Sequence, residues 1–87
     1  MTNDQIEKFL EPKNLSHHSV KIDFKTRNSI NGLFIESSDY KELKSKNFWR
    51  IVTETHIKQW QETKDGNLAR IFNGSEFVKL TVVESID

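Results

Sequence analysis

Residues 20–36 read VKIDFKTRNSINGLFIE, and the fold is decided there. Val20, Ile22 and Phe24 alternate with Lys21, Asp23 and Lys25, the period of two expected of a strand with one face in a core and the other in water. Thr26 to Ser29 are polar turn formers, and from Ile30 to Glu36 the extended pattern resumes, with Ile30, Gly32 and Phe34 on one face and Leu33 and Ile35 on the other. The pattern predicts two strands joined by a hairpin. Gly32 removes a side chain from the second strand, which favours a bend or a close backbone approach of the kind used at the corners of small barrels.

On the N-terminal side, Thr2 and Gln5 have the spacing of a capping box, and Ile6, Phe9 and Leu10 recur at helical intervals. A short helix is predicted, ended by Pro12. Residues 13–19 have no period and read as a linker, with Leu15 as its anchor.

On the C-terminal side, Ser37 to Lys46 is polar and lysine-rich, a loop holding at most a short helix on which Tyr40 and Leu43 lie three apart. Phe48 to Glu62 reads as a long, bent strand with apolar residues on both parities. Asp65-Gly66 marks a hairpin that returns Leu68 to Phe72 onto it, and Asn73-Gly74 marks a second tight turn before a last strand, Phe77 to Val83. Residues 84–87 form a short acidic tail.

These elements make a single domain over residues 1–87. The predicted class is mainly β: a short N-terminal helix followed by a bent five-stranded antiparallel barrel, a form that hides strand edges.

Composition narrows the function classes. Hydrophobic residues are 34% of the 87 and charged residues 30%, enough for one small core and too little for two. Thirteen basic residues balance thirteen acidic ones, so no overall field draws in a polyanion. Cysteine is absent, which excludes disulfides, thiolate catalysis and cysteine metal sites. No stretch has the apolar length of a signal or a membrane span, so a cytoplasmic protein without membrane partners is expected.

No catalytic constellation is legible. His17 and His18 are adjacent and point apart on an extended chain, and His56 stands alone, so no metal site is expected. No serine sits in a nucleophile elbow and no glycine-rich phosphate loop occurs. The chain reads as a non-enzyme without a cofactor. The best functional signal is the aromatic set Phe48, Trp49 and Trp60 beside Lys41, Lys44, Lys46 and Arg50, a combination suited to stacking on single-stranded RNA. The competing reading makes the aromatics core and the lysines a solvated loop.

The alternation of Val20, Ile22 and Phe24, followed by Lys25, Ile30, Gly32 and an acid at Asp39, resembles the first motif of the Sm-like family. Phe72-Asn73-Gly74 stands where that family has an apolar residue, arginine and glycine before the last strand. The resemblance implies a short helix plus a five-stranded barrel, with RNA bases held by Asp39, Tyr40, Asn47, Asn73 and Gly74. Lys44 and Lys46 extend that surface. It also implies a homo-oligomer formed by pairing Leu68 to Phe72 of one subunit with Phe77 to Val83 of the next. Two departures stand out. Asn73 replaces the arginine, removing a planar cation, and a lysine-rich stretch separates Asp39 from Asn47.

Two functions are therefore expected to compete. One is Sm-like RNA binding. The other is an SH3-like protein-interaction module that contacts an unidentified protein through exposed strand edges or through Trp49 and Trp60, without nucleic acid.

Overall fold

A computed structural model describes residues 1–10 and 18–85. Helix α1 spans Asn3–Leu10. The capping box forms as expected: Thr2 N donates to Gln5 Oε1 at 3.0 Å and Gln5 N to Thr2 Oγ1 at 3.2 Å. Ile6 on its apolar face is fully buried. Pro12 and Leu15 lie outside the described residues.

Strands β1 (His18–Phe24) and β2 (Ile30–Phe34) are followed by α2 (Tyr40–Ser45), β3 (Phe48–Thr53), α3 (Glu54–Thr63), β4 (Arg70–Asn73) and β5 (Phe77–Ser85). Strand β1 starts inside the expected linker, and β5 runs past Val83 into the expected tail. The five strands form one antiparallel sheet in the order β4-β3-β2-β1-β5. Among the described residues no helix is long and apolar enough to cross a membrane.

The expected alternation places both cores. Val20, Ile22, Phe34, Trp49, Ile51, Phe77 and Leu80 share one face of the sheet with Ile6 of α1. Leu33, Ile35 and Val52 face the other side, where Ile57 and Trp60 of α3 cover them. Gly32 is a point of close approach: a Cβ there would come within 2.5 Å of Ile51 Cγ2.

The long strand expected over Phe48 to Glu62 is corrected. It ends at Thr53, and Glu54–Thr63 is helical. Ile57, Trp60 and Gln61 recur at i, i+3 and i+4, a helical stripe, and the intervening Lys, Gln and Glu residues are good helix formers. Lys64 closes the helix in the left-handed region at φ 56°, its N–H donating to Trp60 O at 2.6 Å. The Asp65-Gly66 hairpin is corrected with it. Asp65 Oδ1 accepts from Asn67 N at 2.9 Å and starts a 3₁₀ turn, Gly66–Leu68. The strand that follows begins at Arg70 and pairs with Phe48–Ile51, not with the segment next to Lys64. The fold is therefore mixed α/β, with helices between β2 and β3 and between β3 and β4.

The barrel is the second correction. Among the described residues no ladder joins β4 to β5, so the sheet is open. It is nevertheless strongly curled. In a flat sheet β1 and β4 would lie about 14 Å apart, three strand spacings, yet the rings of Phe24 and Phe72 are 6.0 Å apart. Two bulges in the β1–β5 ladder assist the twist. Val78 and Val83 have no register partner on β1 and stand 57% and 47% exposed.

Candidate functional site

The curl brings two distant stretches of chain, residues 24–27 and 70–76, together at the seam between β4 and the end of β1. Phe24 ends β1, Thr26 and Arg27 form the turn after it, and Glu76 lies in the 3₁₀ turn Gly74–Glu76 that leads into β5. Together with all four residues of β4 they line a groove of about 410 Å³.

The floor of the groove is aromatic. Phe24 packs edge-on against Phe77 at 5.3 Å and tilted against Phe72 at 6.0 Å. The Arg27 guanidinium lies 5.0 Å from the Phe24 ring centroid and 5.9 Å from that of Phe72, a cation–π seat that holds an exposed side chain over the groove. Arg70 projects from the same face of β4 as Phe72. Neither arginine has a carboxylate partner within salt-bridge distance among the described residues. One wall is backbone. Ile35 N donates to Arg50 O at 3.1 Å, so the main-chain groups of Arg50 face β2 and those of Trp49 and Ile51 face β4. Their register partners Phe72 and Arg70 face back to β3. The N–H and C=O groups of Ile71 are thereby directed to the open side, as is the N–H of Asn73, whose C=O begins the 3₁₀ turn Gly74–Glu76. Ile71 is 50% exposed.

The residues that the Sm-like resemblance singles out are distributed differently. Asn47, Asn73 and Gly74 are brought together, but as a joint in the scaffold. Asn47 adopts φ 61° and its main-chain O accepts from Gly74 N at 2.8 Å. Its side chain donates to Met1 O at 2.9 Å and accepts from Trp49 Nε1 at 2.9 Å. Gly74 is buried against it. Asn73 Oδ1 accepts from Ser75 N at 3.0 Å and from Ser75 Oγ at 2.8 Å. Lys44 pairs with Glu7 at 2.6 Å and sits 5.5 Å from the Tyr40 ring centroid, and Lys46 pairs with Glu42 at 3.7 Å. Tyr40 packs on Trp49 at 6.0 Å. Trp49 itself is 2% exposed and belongs to the core, whereas Phe48 and Trp60 are half-buried.

Asp39 is held by Arg50, with Nε to Oδ1 at 3.1 Å and Nη2 to Oδ2 at 2.7 Å, and by the hydroxyl of Ser37. The Arg50 hydrogen bonds, joined by that of Ser37, hold its carboxyl well below the usual carboxylate range. A depressed folded-state pKa contributes stability that is present above the unfolded value, about 3.9, and lost as pH falls through the folded one. Asp39→Asn should therefore lower stability at neutral pH and flatten its acid limb below about pH 4. Urea melts of both proteins at pH 7 and pH 3 would show the gap closing on acidification. A gap of constant size would show that the pair contributes nothing.

Phe24, Arg27, Arg70 and Phe72 were not legible as a site because they lie on opposite sides of the chain. One local signal exists. Each phenylalanine has an arginine within three positions, Phe24 with Arg27 and Arg70 with Phe72. Comparison of the chain with protein-family models, curated proteins and solved structures finds no match.

Proposed function

We propose that the domain is a non-catalytic protein-interaction module of the SH3-like kind, which accepts an extended segment of a partner along the free edge of β4. The observation that carries this reading is the combination at the seam: both main-chain groups of Ile71 and the N–H of Asn73 on the open edge, beside a groove that holds two phenylalanines and two arginines. An added strand takes its affinity from main-chain hydrogen bonds and its specificity from pockets for alternate side chains. A nucleic-acid strand offers no matching main-chain ladder.

The RNA reading has weaker support. Asp39, Lys44, Lys46 and Asn47 are engaged by partners inside the chain, and net charge is zero. Freeing them for bases would cost contacts that the scaffold uses.

Titration of isotope-labelled protein with nine-residue peptides of alternating threonine and valine tests the proposal. The expected result is movement of the Ile71 and Asn73 amide resonances and slower amide exchange there, with no salt-dependent binding of uridine-rich or adenine-rich RNA. Peptides that leave β4 untouched while RNA shifts the Asp39 to Asn47 region would overturn it in favour of nucleic acid.

A further inference from the structure

We infer that the groove selects an acidic segment that adds antiparallel to β4 and carries, from its N- to its C-terminal side, an apolar residue, any residue, then aspartate or glutamate. The inference rests on the strand-addition reading above and gives it a sequence.

Register and charge supply the argument. Ile71 turns both main-chain groups to the open side, so the middle residue of the incoming segment exchanges two hydrogen bonds with it. In an antiparallel ladder its neighbours then face Phe72 and Arg70 as non-hydrogen-bonded pairs, the pairs whose side chains approach more closely. An apolar side chain opposite Phe72 covers the floor made by Phe24 and Phe72. Two residues on, the next side chain on that face lies opposite Arg70 and within the groove that Arg27 overhangs.

Arginine is unlike lysine here. Its planar fork binds a carboxylate through two parallel hydrogen bonds, and Arg27 can do so while resting on the rings. Glu76 on the rim leaves the groove with one net positive charge from its ionisable lining, Arg27 and Arg70 against Glu76. A single carboxylate neutralises that excess. The fit is to one acid at one position rather than to a run of phosphates.

The experiment uses the full chain and four blocked nine-residue peptides of alternating threonine and valine, differing only in a central Phe-Val-Glu, Phe-Val-Gln, Phe-Val-Lys or the reversed Glu-Val-Phe. Binding is read by calorimetry and by the amide resonances of β4. The Phe-Val-Glu peptide is expected to bind about tenfold more tightly than Phe-Val-Gln, with Phe-Val-Lys and the reversed peptide weaker still. Arg70→Gln should bring the Glu-to-Gln ratio close to one, and Arg70→Glu should reverse the preference towards Phe-Val-Lys. Arg70 is exposed at the surface, so neither change threatens the fold, and a proton spectrum of each variant checks this.

Equal affinity for all four peptides, with the β4 amides still moving, overturns the acidic specificity and leaves strand addition standing. No movement of β4 with any peptide overturns strand addition, and the specificity with it. Concentration-dependent shifts of the β4 amides in the free protein would place a second copy on that edge and overturn the acidic-segment partner. Uridine-rich RNA that moves the same amides and is weakened by Arg70→Gln would overturn it in favour of nucleic acid.

Discussion

Trp49→Ala is expected to lower the stability of the domain by about 4 kcal/mol, in the range measured for emptying a large aromatic site, and to leave a substantial unfolded fraction at room temperature. Stability for domains of ordinary size is about 5–15 kcal/mol, and a domain this small belongs near the lower end. The size of the effect follows from position. Trp49 is the largest of the fully buried side chains, and its ring meets Phe34 at 6.1 Å and Tyr40 at 6.0 Å, both nearly edge-on. Its indole N–H also donates to Asn47 Oδ1, so the alanine variant leaves both a cavity and an acceptor without its donor. Trp49→Phe should retain most of the packing and lose the hydrogen bond, at a cost of about 1–2 kcal/mol. Urea denaturation of the three proteins by circular dichroism tests the ordering. If Trp49 were instead a stacking platform, the alanine variant would melt like the parent and fail only in binding.

Gly74→Ala is expected to cost about 2–3 kcal/mol, the upper part of the range for overpacking a filled site. The added methyl would collide with the side-chain amide of Asn47 and come within 2.6 Å of Ile6 Cδ1. The isoleucine tip can rotate away, but Asn47 cannot easily follow. Its side chain is fixed at both ends, by Met1 O and by Trp49 Nε1. Coupling between positions 47 and 74 is expected. In an Asn47→Gly background, which keeps the residue compatible with φ 61° and removes the amide, Gly74→Ala should cost less than in the parent. A double-mutant cycle by urea melts measures the difference. Additive losses would mean that the collision is relieved elsewhere.

Much of the fold was legible because the informative segments keep a single period. Val20 to Phe24 alternates apolar with charged residues, and Ile30 to Ile35, apolar on both faces, still separates Phe34 from Leu33 and Ile35 by parity. Thr2 and Gln5 fixed the start of α1 through chemistry local to one turn. The region from Thr53 to Thr63 was not legible in the same way. Threonine and isoleucine at Thr53, Thr55 and Ile57 imitate a strand on one parity, while Ile57 and Trp60 at helical spacing carry the packing against Leu33, Ile35 and Val52. The helical stripe and the helix-forming Lys, Gln and Glu residues outweighed the strand-like parity there, and the hairpin inferred from Asp65-Gly66 fell with the strand it was meant to pair. The candidate site was harder to see. The Sm-like resemblance singled out Asp39, Tyr40 and Asn47 and sequence proximity added Lys44 and Lys46, whereas the groove is assembled by the curl of the sheet from residues almost fifty positions apart.

The β1–β5 ladder has a consequence for how the molecule comes into being. It joins His18 to Ser85 and Ile22 to Leu80, so the second edge of β1 has no partner until β5 is available. A chain emerging from a ribosome can form α1, the β1–β2 hairpin and α3 from local contacts. It then waits with one row of β1 main-chain groups unpaired, and with Val20 and Ile22 lacking the cover that Phe77 and Leu80 supply. Because β5, the last strand of the sheet in chain order, fills that gap, the sheet is completed late, and a fragment ending before Phe77 carries an unguarded edge that can recruit another chain.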